Sequence, residues 1–231
     1  MAERKHLEWF RSRLAASALH ERTDPASVLA WLDERRAGIS FQASLIPLND
    51  VRGWGRDADG NVCHDSGQFF GVQGVRTEAG GLREVKSWDQ PILTQPEGGV
   101  LAMVARESGA GIEFLLQAKA EPGNIGTLQL VPSLQCTWSN IRRIHQGNNP
   151  PLTELLAAEQ GVRWVYRALH NEEGGRFWRK SNENIVLFLD DPSLITTDLT
   201  MFYWATHGQI KELALVDNVL SPFVKTIVAP L

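Results

Sequence analysis

Hydrophobic residues along the chain follow first a helical spacing and then a strand-like one. Near the N-terminus apolar residues recur every three to four positions, at Leu7, Phe10, Leu14 and Ala18. This periodicity predicts an amphipathic helix. Asp24-Pro25 is typical of a helix start, and Gly38 ends the second predicted helix. We therefore expect a helical segment over residues 1–38 that packs on the following sheet or on a second subunit.

Strand-like patterns dominate residues 39–231, which we predict to form a single domain. Residues 39–45 alternate apolar and polar side chains, as a half-buried strand does. Residues 100–106 and 112–118 are apolar runs joined by a glycine-rich stretch, which predicts a β-hairpin. Further strands are expected at 127–131, 162–169 and 177–189. Further helices are expected at 153–159, around 210–214 and from 221 onwards. This mixture predicts an α+β fold with a mixed and antiparallel sheet.

Composition narrows the class of protein. The 231 residues are 43% hydrophobic, enough for a sizeable core, and the formal net charge of -4 argues against nucleic acid as a partner. No stretch has the length and apolar character of a membrane span or a secretory leader, so no membrane association is expected. Cys63 and Cys136 show no metal-ligand spacing and are expected to be reduced, with a disulfide bridge as the alternative. These features predict a cytoplasmic protein.

The most informative chemistry lies in residues 114–140. Lys119 and Glu121 are two positions apart beside a Pro122-Gly123 turn, so both side chains can point to one face of a strand. Beyond Pro132 the chain is polar without being charged, which suits a pocket that orients a polyhydroxylated ligand. The structural alternative is a hydrogen-bond network that pins the loops, with Lys119 and Glu121 as a salt bridge that fixes the turn.

This stretch resembles the signature of the NDP-hexose 2,3-dehydratases, a fLvQaK-EPGN block followed by a QLaPT-QaT-SN block. Ser133 stands where that family usually has Thr. The matching residues are Gln117, Lys119, Glu121, Pro122, Gly123, Asn124, Gln129, Leu130, Pro132, Gln135, Thr137, Ser139 and Asn140.

Other motifs extend the resemblance over most of the chain. The family carries an H-SG-FF-v-G pattern after a tryptophan, and residues 64–74 match it after Trp54. Trp88 opens a segment similar to the family's W-QP element. A later family element is matched by Arg176, Phe177 and Asn182.

Two features depart from the family pattern. The family commonly ends with a DN-VN-(M/V)-(D/E)-x-R segment, in which Ser221, Phe223 and Lys225 here replace the second Asn, the acid and the Arg. Because Lys does not grip phosphate bidentately as Arg does, the affinity or identity of the ligand is less defined there. Family members also typically contain two copies of this unit, so the single copy here is expected to form a homodimer.

The resemblance implies a lyase with a Nudix-like mixed sheet and flanking helices. The family reaction removes water across carbons 2 and 3 of an NDP-4-keto-6-deoxyhexose, expected here to be dTDP-linked, and gives a 3,4-diketo-2,6-dideoxy sugar nucleotide for deoxysugar biosynthesis. The 4-ketone serves as the electron sink, so no cofactor is implied. No metal is implied either, because the Nudix carboxylate box is absent from the sequence. The site requires a base, an acid for the leaving hydroxyl and a donor near the enolate oxygen.

Three residues form the predicted catalytic set. Glu121 is the candidate base, with Lys119 or His64 stabilising the oxyanion, although a buried Glu121 would serve as an acid instead. The structural alternative for His64 is a packing role. The predicted substrate contacts are Gln135, Thr137, Asn140, Asn124 and Gln129 for the sugar, Trp88 for a base, Arg142, Arg143 and Lys225 for pyrophosphate, and Asn182 through its motif. Core packing is the alternative for Trp88, solvated charge is the alternative for Arg142, Arg143 and Lys225, and a structural hydrogen-bond network is the alternative for the neutral polar residues of 114–140.

Two other functions stay open at this point. One is a repurposed relative that acts as a dehydratase, isomerase or cyclase on another natural-product intermediate. The other is a non-catalytic binding subunit. A Rossmann dehydrogenase is disfavoured because no GxGxxG follows a predicted strand, and the P-loop and G-x-S-x-G motifs are also absent.

Overall fold

The computed structural model describes residues 2–141 and 150–231, apart from the side chains of 2, 3, 139 and 140. Contacts between residues divide the chain into two compact units. Unit 1 comprises Met1–Ala43, Gly99–Leu169 and Glu183–Leu231, and unit 2 comprises Ser44–Gly98 and His170–Asn182. The expected single domain over 39–231 stays a prediction.

Unit 1 holds the described α-helices. They are α1 (Ala2–Ser17), α2 (Ala26–Gly38), α3 (Trp138–Ile141), α4 (His207–Leu213) and α5 (Pro222–Val228). Short 3-10 helices occur at Leu48–Asp50, Thr153–Leu156 and Pro192–Leu194. None of the helices in the described ranges combines the length and the apolar character that crossing a membrane requires.

The strands form two sheets. In unit 2, β1 (Trp54–Arg56), β2 (Val62–His64), β3 (Gly71–Glu78) and β4 (Ser87–Thr94) pair in sequence order, each antiparallel to the next. The second sheet contains β5 (Gly99–Ser108), β6 (Gly111–Ala120), β7 (Leu128–Pro132), β8 (Leu134–Thr137), β9 (Val162–Asn171), β10 (Ser181–Leu189) and β11 (Phe202–Thr206). Its main order is β11-β6-β5-β10-β9, with β5 and β10 parallel.

The β5–β6 hairpin opens into a fork. The two strands pair directly from the hairpin turn as far as Val104 and Leu115, after which β6 pairs with β7 and β5 pairs with β8. Leu116 and Gln117 pair with both β7 and β11, so β7 and β11 lie on opposite edges of β6. Residues 100–102 likewise pair with both β8 and β10. The β7–β8 segment is therefore inserted between β5 and β6.

Both faces of the larger sheet are buried around β5. Alternate residues of this strand belong to two apolar clusters, Leu101 and Met103 to one and Val100 and Ala102 to the other. The first cluster includes apolar residues of α1, α2, α4 and α5, and the second includes Leu155 of a 3-10 helix. Because both sides of β5 pack against apolar residues, the strand reads as a continuous hydrophobic run rather than an alternating one.

Most of the predicted elements are confirmed. Helices α1 and α2 occupy the 1–38 segment, the hairpin of β5 and β6 is present, and the α+β class is confirmed. The strand predicted at 177–189 begins only at Ser181, and the helix predicted at 153–159 is a 3-10 turn over Thr153–Leu156. Phe177 makes an isolated bridge to Leu93 instead of joining a strand.

The strand predicted at 39–45 is wrong. These residues adopt no regular structure and pair with no strand in the described ranges. Phe41 and Leu45 are 40% and 105% exposed. Alternating polarity favours an extended backbone, but a strand also needs a neighbouring strand to satisfy its backbone groups, and none pairs here.

His207 makes the stability of unit 1 depend on pH. It opens α4, and burial is the main cause that lowers its pKa from the ordinary value of 6.5; Lys211 lowers the pKa further, whereas Glu21 opposes the shift. The folded protein therefore binds fewer protons at this site than the unfolded chain does. The contribution to stability is complete above the unfolded pKa and is lost as the pH falls through the folded pKa.

We expect the His207→Gln variant to lose less stability on acidification than the original chain does. Urea midpoints at about pH 7.5 and about pH 5.5 measure this loss, which should be smaller in the variant than in the original chain. The matched control is His20→Gln, because His20 is exposed and its removal should leave the loss unchanged. Equal losses in all three proteins would contradict the assignment to His207.

Candidate active site

Glu121 is the centre of a polar cluster in unit 1. It directly follows β6, and its Oε1 lies 3.1 Å from Lys119 Nζ. Gln135 on β8 donates from Nε2 to the same oxygen at 3.1 Å. The side chains of Lys119 and Glu121 are 32% and 37% exposed, so the pair is partly desolvated but open to a ligand. Three residues of the predicted site are therefore in direct contact.

The two donors on Glu121 Oε1 fix the carboxylate without occupying it fully. Both contacts fall on the same oxygen, Oε1. A carboxylate held in this way can accept a proton. The neighbouring ammonium of Lys119 can then stabilise negative charge that develops close to it.

Gln135 also presents an acceptor. Its Nε2 must face Glu121, because a carboxylate accepts hydrogen bonds and does not donate them. Its Oε1 is buried and has no hydrogen-bond partner among the described residues. A buried amide oxygen without a donor is costly.

Asn124 pins the turn that carries Glu121. Its backbone N–H donates to Glu121 O at 3.0 Å, and its Nδ2 donates to Lys119 O at 3.1 Å and Thr127 O at 3.2 Å. The side-chain amide nitrogen is thus engaged within the loop. These contacts show Asn124 fixing the loop, and its predicted contact with substrate stays a prediction.

The other predicted residues of unit 1 are spread over several elements. Gln129 lies opposite Lys119 in the β6–β7 register and donates to Asn218 O at 3.2 Å. Thr137 is the last residue of β8, and Lys225 is exposed on α5. The predicted contacts of Asn140, Arg142 and Arg143 lie outside the residues and side chains that the structure describes.

His64 belongs to an aromatic cluster in unit 2. It pairs with Trp54 in the β1–β2 register, and its ring lies 5.5 Å from the Trp54 ring and 4.5 Å from the Phe69 ring. The backbone N–H of Ser66 donates to Nδ1 at 3.1 Å, and Ser66 Oγ lies 2.8 Å from the same nitrogen. Because a backbone N–H can only donate, Nδ1 is an acceptor and the neutral ring carries its proton on Nε2.

Gly53 is a residue that the sequence analysis missed. Its φ is +74°, and a Cβ built on it would lie 2.9 Å from His64 Nε2. Any larger side chain would strain the backbone and push the imidazole. Gly53 therefore gives the Nε2–H of His64 the room it occupies. A lone glycine before a tryptophan offered no signal of this role.

Trp88 and Asn182 are engaged within unit 2. Trp88 Nε1 donates to Gln90 Oε1 at 2.8 Å. Asn182 is 4% exposed, and its Nδ2 donates to Glu172 Oε1 at 2.6 Å. These contacts are compatible with the structural alternative for both residues. Their predicted contacts with substrate stay predictions.

Unit 2 also contains a pocket of about 610 Å³. Its lining is mainly apolar and includes none of the residues predicted for the site. The lining residues are Leu48, Asn49, Val51, Trp54, Gly55, Arg56, Val62, Phe70 and Val72. Among the side chains that the structure describes, no three from His, Cys, Asp or Glu are grouped to hold a metal ion.

Comparison with solved structures gives distant matches. An Ap4A hydrolase from C. elegans matches with a TM-score of 0.36 and 14% identity, covering 59% of this chain and 96% of that chain. The Nudix hydrolase RenU from M. smegmatis matches with a TM-score of 0.32 and 16% identity, covering 58% of this chain and 86% of that chain. The Nudix-like core stays a prediction.

Three curated relatives share the name dTDP-4-dehydro-6-deoxy-alpha-D-glucopyranose 2,3-dehydratase. The chain is 38% identical to the protein of Streptomyces violaceoruber, over 90% of this chain and 47% of that protein. It is 36% identical to the protein of Amycolatopsis orientalis, over 92% of this chain and 46% of that protein. It is 34% identical to the protein of Saccharopolyspora spinosa, over 86% of this chain and 40% of that protein. The chain thus spans about half the length of the curated relatives it matches, or somewhat less.

The family assignment rests on a wider match than any one motif. The family model described as NDP-hexose 2,3-dehydratase matches residues 25–231, which include β1 to β11 and the Lys119–Glu121–Gln135 cluster. The match therefore covers most of the chain, and this protein belongs to the NDP-hexose 2,3-dehydratase family.

Proposed function

We propose that this chain eliminates water across carbons 2 and 3 of an NDP-4-keto-6-deoxyhexose without a cofactor. The proposed substrate is dTDP-linked, as the names of the relatives state for those proteins. The product is a 3,4-diketo-2,6-dideoxy sugar nucleotide. The observation that carries the proposal is the convergence of Lys119 and Gln135 on Glu121 Oε1.

Proton removal is the first step of the proposed reaction. The ketone at carbon 4 acidifies the hydrogen on carbon 3, and Glu121 takes that proton through Oε2. The negative charge then moves from the carboxylate to the enolate oxygen on carbon 4. Because protonated Glu121 no longer holds the ammonium by charge, Lys119 becomes free to donate to the enolate. His64 stays a prediction for the same donor role.

Loss of the 2-hydroxyl completes the elimination. The electron pair of the enolate re-forms the ketone at carbon 4, makes the double bond between carbons 2 and 3, and expels the 2-hydroxyl. The hydroxyl takes the proton that Glu121 holds and leaves as water, which returns Glu121 to its carboxylate form. The remaining enol at carbon 3 gains a proton at carbon 2, loses the proton of its own hydroxyl, and so becomes the second ketone. Contact between Gln135 and a sugar hydroxyl stays a prediction.

A coupled assay tests the proposal. The purified chain is supplied with dTDP-4-keto-6-deoxyglucose, a 3-ketoreductase and NADPH, since the reductase traps the unstable diketone. We expect reductase-dependent NADPH oxidation and a 2-deoxy product by mass spectrometry. Intact substrate after long incubation with the folded protein would reject the activity.

The same assay separates the alternatives. A repurposed relative would leave this substrate untouched under every condition. A non-catalytic subunit would give turnover only after a second protein is added. The second alternative has an observation in its favour, because the chain covers only about half of each relative.

Assembly and location complete the proposal. We propose a homodimer in the cytoplasm, because two copies of the chain would together approximate the length of one relative. Light scattering of the purified chain at micromolar concentration gives the mass directly, and a monomer at all concentrations would contradict the dimer.

A further inference from the structure

Ser133 lies at the apex of the fork between β5 and β6. The last direct pair between those strands joins Val104 and Leu115. Ser133 separates β7 from β8, and the two strands pair with β6 and β5 respectively. The backbone at Ser133 therefore enters the sheet where its two central strands separate.

The hydroxyl of Ser133 bonds to both sides of the fork. Ser133 is fully buried, at 0% exposure. Its Oγ accepts from the backbone N–H of Val104 at 2.8 Å and donates to the carbonyl oxygen of Leu115. One side chain thus satisfies a β5 donor and a β6 acceptor at the point where direct pairing stops. Without the hydroxyl, both backbone groups would lose this bond inside the core, where a lost hydrogen bond is costly.

The fork has a second cross-link near its open end. Gln135 lies on β8, which pairs with β5, while Glu121 directly follows β6. The bond of 3.1 Å from Gln135 Nε2 to Glu121 Oε1 therefore joins the two sides of the fork. Its length depends on how far apart those sides are held. Ser133, two residues before Gln135, is the polar contact that sets this separation at the apex.

We propose that Ser133 is a positioning residue that holds Gln135 against Glu121. The inference rests on the proposed function, in which Glu121 abstracts the proton. Ser133 itself touches no substrate. Removing its hydroxyl lets the β7–β8 segment shift between its neighbours, so the donor on Glu121 Oε1 moves out of hydrogen-bond range.

The first test needs no catalytic activity. The side-chain NH₂ group of Gln135 is observed by ¹H–¹⁵N NMR and assigned through the loss of its signals in Gln135→Met. Glu121→Ala defines the position of these signals when the hydrogen bond is absent. We expect Ser133→Ala to move the signals to that position and Ser133→Thr, which retains a hydroxyl, to leave them unmoved. Unmoved signals in Ser133→Ala would overturn the inference.

The second test is kinetic. Ser133→Ala should lower kcat by roughly 10- to 100-fold with KM changed by less than about twofold, because misplacement affects the reacting groups more than ground-state binding. Ser133→Thr should restore kcat. The control is Ser17→Ala, which removes another buried hydroxyl, donating to Leu14 O at 3.1 Å, and should leave kcat unchanged.

These tests distinguish a failed inference from a failed function. Shifted NMR signals together with an inactive original chain would reject the proposed function and retain the link between Ser133 and Gln135. Full kcat in folded Ser133→Ala would reject the positioning role and retain the function. If Ser133→Ala does not fold, Ser133→Cys is measured by the same two methods, since its thiol is close in volume but a weak hydrogen-bonding group.

Discussion

Glu121→Gln should lower kcat/KM by about 10²- to 10⁴-fold, the range contributed by a positioned general base. The substituted amide keeps an oxygen that can accept from Lys119 and Gln135, which both contact Oε1 in the original side chain. It cannot take up a proton at neutral pH. The change therefore removes the proposed base while leaving the hydrogen-bond geometry largely in place. Initial rates in the reductase-coupled assay measure the effect.

The stability of Glu121→Gln should be close to that of the original chain. The Lys119–Glu121 pair is about one-third exposed, and such pairs contribute roughly 0–1 kcal/mol to folding because solvent screens them. A large fall in the urea midpoint would mean that the pair fixes the turn, which was the structural alternative. Stability and activity thus separate the two interpretations of the same ion pair.

Glu113→Gln is the matched control for Glu121→Gln. Glu113 lies on the same strand, β6, and its Oε2 is 2.9 Å from Arg106 Nη2. The proposed chemistry does not use it, so we expect kcat/KM within about threefold of the original value. Its side chain is 13% exposed, so this variant should lose more stability than Glu121→Gln does. If both variants lost activity equally, the loss would not identify a base.

The Lys119–Glu121 contact was predictable because it is local. The two residues are separated by one position beside a Pro-Gly turn, and the alternation of a strand places both side chains on one face. Gln135 was predicted as a member of the polar, uncharged run beyond Pro132 and through the family resemblance, but not as a partner of Glu121. Its approach to Glu121 requires β5 and β6 to diverge, and hydrophobic periodicity contains no information about where paired strands separate.

The sequence around Ser133 indicates a buried hydrogen-bonding role for its hydroxyl but does not identify the partners. It is the one polar residue in the run from Leu130 to Leu134, and an isolated hydroxyl in such a run is expected to be hydrogen-bonded within the core. The sequence could not identify its partners, because Val104 and Leu115 are distant along the chain. The wrong strand prediction at 39–45 has a related origin. The sequence shows the alternation of apolar and polar residues there, but it does not show whether another strand pairs with them.

Phe10→Ala should destabilise the protein by about 3–5 kcal/mol, as large-to-small changes of buried aromatic residues do. Phe10 is fully buried on α1, and its ring centroid lies 6.0 Å from those of Phe114 on β6 and Phe188 on β10. The substitution removes both aromatic contacts and leaves a cavity between the helix and the sheet. Since domains are typically stable by only about 5–15 kcal/mol, the urea midpoint measured by circular dichroism should fall sharply.

Leu19→Ala is the control, because Leu19 follows the same helix but is 89% exposed and should change the midpoint little. Similar midpoints for the two variants would contradict the packing of α1 on the sheet. The comparison also decides between the two roles expected for residues 1–38. A helix whose main contact was a second subunit would lose stability in a concentration-dependent way when Phe10 is shortened. The burial of Phe10 against β6 and β10 of its own chain instead predicts the same loss at every protein concentration.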